Sequence, residues 1–161
     1  MKIGVMSDTH DNIPKIEKAV GLFNSEGVEM VLHAGDFISP FTAGPFGKLR
    51  CRLIGVFGNN DGEKFGLRAK FEGIGEISED YAEVEISGRR IFLTHKDALV
   101  ETIAESGRYD VVIYGHTHVP EVRRIGETLL INPGEAGGWL KGRSTVALLD
   151  LDTMEVDLRE I

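Results

Sequence analysis

The chain has 161 residues, 42% of them hydrophobic and 27% charged, with a formal net charge of -8 at pH 7. This length fits one domain, 1–161, able to bury roughly two-thirds of its unfolded surface. The acidic balance argues against a broad electrostatic grip on nucleic acid or an anionic membrane, yet leaves room for a phosphate substrate wherever bound cations reverse the local sign.

Strand-like sequence begins at Lys2 and runs to Ser7 (K-I-G-V-M-S), leaving no space for a leader or membrane span, so a cytoplasmic protein is expected. A polar turn, Asp8 to Asn12, leads into a helix. Asn12 is its cap, Pro14 sits in the first turn, and Gly27 ends it. Ile13, Ile16, Ala19, Val20 and Phe23 recur at helical spacing. A second strand spans Val28 to His33 and ends in Ala34-Gly35-Asp36. Pro40 to Lys48 reads as a weaker helix or turn. A third strand, Cys51 to Phe57, ends in Gly58-Asn59-Asn60-Asp61-Gly62 and holds the only cysteine, expected as a small buried hydrophobe. This β-α-β-α-β order implies right-handed crossovers and a parallel sheet.

The second half changes character. Tyr81 to Ile86 alternates apolar and acidic residues, and Ser87-Gly88 turns it into Arg90 to Thr94, with His95 at its end. Asp97 to Ser106 reads as a helix with Asp97 as its cap and Gly107 as its stop. Val111 to Tyr114 is a strand that runs into Gly115-His116-Thr117-His118. Further strands are expected at Glu121 to Ile125, Thr128 to Ile131, Ser144 to Leu151 and Glu155 to Arg159. Short turns separate them, which favours antiparallel pairing in this half.

Five segments share one grammar: I-G-V-M-S-D-T-H, M-V-L-H-A-G-D, L-I-G-V-F-G-N-N-D, I-F-L-T-H and V-V-I-Y-G-H-T-H. Each is an apolar strand followed by Asp, Asn or His. Ligand sites in open α/β sheets form beyond the carboxyl ends of strands, so Asp8, His10, Asp36, Asn59, His95, His116 and His118 are expected to converge there. In an extended chain, His116 and His118 would face the same way. Nitrogen and oxygen donors without thiolate favour Mn, Fe, Co, Ni or Zn over a cysteine-rich structural site. Seven donors exceed the needs of one tetrahedral ion. A bridging carboxylate, Asp36, would support two ions about 3.5–4 Å apart. No G-x-G-x-x-G or G-x-x-x-x-G-K-[ST] turn is present, which disfavours dinucleotide and P-loop readings.

The ordered motifs D-x-H, G-D, G-N-x-D, H and G-H-x-H, spanning Ile3 to Pro133, resemble the calcineurin-like metallophosphoesterase superfamily, in size its small archaeal and bacterial phosphodiesterase branch. The resemblance implies an α/β fold, a four-layer α-β-β-α sandwich with two central mixed sheets. It implies two divalent ions, manganese first, with nickel, iron, cobalt or zinc as alternatives. Asp8, His10, Asp36 and His118 would hold one ion, and Asp36, Asn59, His95 and His116 the other. Asp36, Asn59, Asn60 and His95 form the expected catalytic set, acting with a metal-bound hydroxide on a small phosphate ester. Competing readings are a metal-binding scaffold like the retromer subunit of this fold, a phosphomonoesterase and a nucleotide pyrophosphatase. Homo-oligomerisation is left open.

Two departures from the family pattern stand out. Asn60 replaces the histidine of G-N-H-D; it donates a hydrogen bond but delivers no proton at neutral pH, which favours better leaving groups. Glu135 follows Asn132-Pro133-Gly134 where serine is more usual, and would place a carboxylate at the substrate rim. Among other polar residues, His33 reads as a buried, hydrogen-bonded partner. Asp11 reads as a turn residue and Asp61 as an anchor for the Asn59 loop. Thr9 and Thr117 read as loop hydroxyls, and Arg123 and Arg124 as a solvated strand pair. Trp139, in a glycine-rich loop, is left between a cover for the site, a partner surface and plain packing.

Overall fold

Asn12, Pro14 and Gly27 bound the first helix as the sequence predicts. In the computed structural model, which describes residues 1–161, Asn12 accepts from the Lys15 amide and Gly27 turns left-handed at φ 65°. The first half contains β1 (Lys2–Met6), α1 (Ile13–Glu26), β2 (Met30–His33), a 3-10 turn (Pro40–Thr42), α2 (Ala43–Phe46), β3 (Arg52–Val56), α3 (Lys64–Phe71) and β4 (Gly75–Ser78). The second contains β5 (Tyr81–Ile86), β6 (Arg89–Thr94), α4 (Val100–Glu105), β7 (Val111–Ile113), β8 (Glu121–Ile125), β9 (Thr128–Asn132), β10 (Thr145–Asp150) and β11 (Glu155–Glu160).

These strands form two mixed sheets, ordered β11-β10-β1-β2-β3-β4 and β5-β6-β7-β9-β8. β1 to β4 run parallel, as their crossovers require, while β10 pairs antiparallel with β1. The strict alternation of extended chain assigns the side chains. Val31 and Leu53 point to a core shared with α1, α2 and α3, and Leu32 and Ile54 to a second core between the sheets. Burial on both faces explains the near-continuous apolar runs. A third, smaller core of Val100, Ala104, Val112, Tyr114 and Leu130 lies under α4. Helices, sheet, sheet and helix make four layers.

Two expectations change. The second half is not wholly antiparallel: the hairpins β5–β6, β8–β9 and β10–β11 are antiparallel as their turns imply, but β6, β7 and β9 pair in parallel, and β10 and β11 join the other sheet. The short turns set the hairpins but not the long-range partners. Asp97 does not cap α4 with its side chain. The helix starts at Val100, and Asp97 contributes only its carbonyl to the Val100 amide. In addition, α3 and β4 fill residues 64–78, a stretch to which the sequence patterns assign no element. Only Leu67 and Phe71 of α3 are buried, and Phe65 is exposed. Cys51 is partly buried against the helix-side core, and Ser87 and Gly88 both take positive φ, as a type I′ hairpin demands.

Candidate metal centre

All seven candidate donors lie at carboxyl ends of parallel strands. Asp8 and His10 follow β1, Asp36 follows β2, Asn59 follows β3, His95 follows β6, and His116 and His118 follow β7. The backbone gets them there by curling, not by staying extended. Asp8, His10, Asp36, His116 and His118 all have positive φ, between 41° and 68°. The expectation that His116 and His118 alternate along an extended chain is therefore corrected. Asp, Asn and His tolerate this region better than other side chains, though each strained residue costs of order 1–3 kcal/mol. The glycines of the motifs serve close approach. A Cβ on Gly58 would sit 2.1 Å from Asp36 Oδ1, and one on Gly115 would sit 2.0 Å from Ser7 Oγ and 2.8 Å from Asp8 Oδ2.

Two groups of donors converge, Asp8 with His10 and His118, and Asp8 with Asp36 and His95. Asp8 is common to both, but Asp36 also reaches each side, its Oδ2 lying 3.5 Å from His10 Nε2 and 3.6 Å from His95 Nε2. His118 Nε2 is 3.3 Å from Asp8 Oδ1. Asn59 Oδ1 completes the far side, 2.8 Å from His95 Nε2 and 2.9 Å from His116 Nδ1.

Hydrogen bonding fixes which ring nitrogens face inward. His95 Nδ1 donates to the Ala34 carbonyl at 2.7 Å, so its Nε2 presents a lone pair to the Asn59 and Asp36 oxygens. Acceptors facing acceptors are reconciled by a cation between them. Asp8 Oδ1, His10 Nε2 and His118 Nδ1 are buried without hydrogen-bond partners. Asp8, Asp36, Asp61 and Glu135 are all buried, and no lysine or arginine pairs with any of them. Buried carboxylates without cationic partners are costly. Burial works against ionisation of Asp8, but the neighbouring His10 and Ser7 outweigh it and its pKa is lowered. Burial likewise disfavours His10 as a cation, and Asp8 and Asp36 more than offset it, raising its pKa. The donor set fits divalent ions.

The remaining residues support this arrangement. Asp61 takes the Asp36, Gly58 and Ile38 amides, anchoring two donor loops. Asn60 places its amide group on the Asp36 carboxylate, with Nδ2 donating to Oδ2 and its backbone N–H to Oδ1. His33 is fully buried and its pKa is pushed down to about 3 by desolvation. Its Nδ1 accepts from the Gly35 amide, so Nε2 donates to Thr9 Oγ1, which in turn donates to the Asp36 carbonyl. Asp11 binds Ser39, and Thr117 accepts from Asn132. Arg123 pairs with Glu101 and Glu121 and Arg124 binds the Glu127 carbonyl, away from the donors.

Glu135 is corrected. It does not stand at the rim but is buried, accepting the Trp139, Leu140 and Lys141 amides, with Oε2 3.4 Å from His118 Nδ1. Asn132 was missed as a functional residue. Its Nδ2 donates to the Gly115 carbonyl and to Thr117 Oγ1, holding the two-histidine loop. The same strand-then-polar grammar, T-L-L-I-N, could have found it. Ser7, whose buried hydroxyl lacks a partner, was missed as well.

Residues 1–154 match the model of the calcineurin-like phosphoesterase superfamily domain. Phosphodiesterase MJ0936 of Methanocaldococcus jannaschii is 45% identical over 159 residues, 96% of each chain. Phosphodiesterase YfcE of Escherichia coli K12 is 29% identical, over 97% of this chain and 91% of that one. A solved archaeal phosphodiesterase superposes with a TM-score of 0.95 at 43% identity, covering 100% of both chains. A Vps29 of Entamoeba histolytica reaches 0.74 at 18% identity over 100% of this chain and 99% of that one, a likeness of fold alone.

Proposed function

The chain belongs to the calcineurin-like phosphoesterase superfamily, and we propose that within it the protein is a phosphodiesterase working with two divalent ions. The single observation that carries this reading is the convergence of Asp8 Oδ1 and His10 Nε2, both buried without hydrogen-bond partners, with His118 Nε2 and the Asp36 carboxylate. Relatives named phosphodiesterase, matched over nearly the whole chain, support the ester class. Asp8, His10, Asp36 and His118 would hold one ion, and Asp36, Asn59, His95 and His116 the other, with Asp36 touching both groups. Manganese is the first metal to try, and nickel, iron, cobalt and zinc suit the same donors. Bound there, the ions supply an activated water and positive charge for phosphoryl oxygens.

The chain's own residues do the positioning. The Ala34 carbonyl holds His95 in the tautomer that turns Nε2 inward. Asn60 orients the Asp36 carboxylate through two hydrogen bonds and offers no acid to a leaving group. Substrates with stable leaving groups are therefore favoured over alkyl monoesters. The same reading takes residues 1–161 as one domain acting on a small phosphate ester. No helix is long and apolar enough to cross a membrane.

The test is hydrolysis of bis(4-nitrophenyl) phosphate and 4-nitrophenyl phosphate by chelator-stripped protein, with Mn, Ni, Co, Zn and Mg returned separately. Metal-dependent diester cleavage, weaker monoester cleavage and loss of activity in His116→Ala are expected. A monoester preference would move the protein to the phosphatases, and activity unaffected by metal would overturn the dinuclear reading.

A further inference from the structure

One surface beside the donors is apolar, and it is built from the donors' own scaffold. Ile38, Trp139 and Leu140 line an open groove of ≈ 520 Å³ whose floor includes His10, Asn60 and Glu135. Trp139 is 64% exposed and Leu140 73%, levels at which apolar side chains gain little from packing within the chain. Neither is left to float. Glu135 accepts both of their backbone amides, and Trp139 Nε1 donates to the His10 carbonyl at 3.0 Å, pinning the ring next to a candidate donor. In the same lining, Ile38 sits at φ 84°, an outlying backbone for a β-branched residue, held by its amide hydrogen bond to Asp61. Strained or tethered apolar residues held by the buried carboxylates of a site mark a preorganised surface.

The charges along the groove narrow its occupant. No lysine or arginine lines it, and its carboxylate neighbours Asp11 and Glu135 are committed to Ser39 and to the loop amides. A second phosphate placed there would meet no lysine or arginine. A flat, neutral, apolar group would meet an indole face and two aliphatic side chains. We propose that this groove is a substrate subsite that receives an aromatic ester group of the phosphodiester, either an aryl ring or a nucleobase, and disfavours pyrophosphate-type substrates. The proposal rests on the phosphodiesterase reading and names its substrate class.

Trp139 is the only tryptophan in the chain, so its fluorescence reports directly on the groove. Manganese-loaded protein is titrated with phenylphosphonate, methylphosphonate and thymidine 5′-phosphate. Phenylphosphonate is expected to quench Trp139 saturably and to bind about tenfold more tightly than methylphosphonate. Leu140→Ala, which keeps the reporter, should cut that preference about threefold. As inhibitors of bis(4-nitrophenyl) phosphate hydrolysis, the same phosphonates should lose their difference in Trp139→Ala and largely keep it in Trp139→Phe. Phe65→Ala, an exposed α3 side chain that does not line the groove, serves as the control and should leave the ratio unchanged. Thymidine 5′-phosphate binding as tightly as phenylphosphonate would assign the groove to a nucleobase, and binding as weakly as methylphosphonate would assign it to an aryl group. Equal phenyl and methyl affinities in a protein that cleaves diesters would overturn the subsite alone. A protein that prefers the phenyl ligand yet cleaves no diester would overturn the phosphodiesterase reading instead.

Discussion

Replacing Asp61 with alanine measures how much of the centre's frame hangs on one carboxylate. Its Oδ2 accepts from the Asp36 amide at 3.0 Å and the Gly58 amide at 2.7 Å, and its Oδ1 from the Ile38 amide at 2.7 Å. The side chain is buried, and burial pushes its pKa up even though these amides favour the charged form. Truncation strands the buried Asp36 amide, at about 1–3 kcal/mol. The Gly58 and Ile38 amides are nearer to water, and losing each bond costs about 0.5–1.5 kcal/mol. The loss then lies at about 2–6 kcal/mol, and strain released at Asp36 (φ 62°) and Ile38 (φ 84°) places it in the lower half of that range. Against a total of about 5–15 kcal/mol the variant still folds, with its melting midpoint lowered by roughly 5–15 °C. Asp61→Asn keeps one acceptor oxygen but turns an NH2 group toward the Ile38 amide, and should lose about half as much. Urea unfolding of chelator-treated protein, followed by circular dichroism and extrapolated to water, reads the difference. A loss below about 1 kcal/mol for Asp61→Ala would refute the claim that these three bonds frame the loops.

Three further outcomes are expected. Below its unfolded pKa of about 6.5, an unfolded His33 takes up a proton that the buried ring refuses until about pH 3, so stability falls with pH across that window by up to about 1.4 kcal/mol per unit. His33→Gln should flatten the urea midpoints between pH 6 and 4.5, and equal slopes in both proteins would count against a neutral, buried His33. Manganese at 100 times its dissociation constant should stabilise stripped protein by about 2.7 kcal/mol in a thermal scan, and Asp36→Asn should abolish the shift. No shift in the unmutated protein would contradict a metal centre. Gly115→Ala forces a Cβ against Ser7 and Asp8 and should cost about 1–3 kcal/mol, whereas Gly21→Ala, on α1 with nothing within 4 Å, should gain about 0.5–1 kcal/mol; similar melting points would contradict the close approach seen at Gly115.

What could be read from the residues divides along physical lines. The clustering of the candidate donors was legible because each follows an apolar strand and strand ends are where sheets leave space. The boundaries of α1 were legible because Asn12, Pro14 and Gly27 act locally. The partners of β7 and β10 were not, since β10 pairs with β1 across more than a hundred residues and β7 with β9 past an intervening strand, and such pairing depends on which faces bury together rather than on nearby turns. Nor was the curl of the Gly115–His118 loop, because left-handed backbone at two histidines is imposed by neighbours such as Asn132, which binds the Gly115 carbonyl. Glu135 was misplaced for a related reason. Its role is set by the amides of residues 139–141, which the linear order does not bring to mind.

The position of β1 has a consequence for how the protein is made. It lies between β2 and β10, pairing Lys2 with Asp150 and Val5 with Ala147. During synthesis at about 5–20 residues per second, β1 and β2 emerge early, but one side of β1 stays bare for roughly 7–28 s until β10 is translated. Through that interval Ile3 and Val5 offer an open strand edge beside an uncovered apolar face, the combination most prone to pairing with other chains. Expression yield should therefore respond more to the speed of translation across residues 50–150 than to changes in the finished fold's stability.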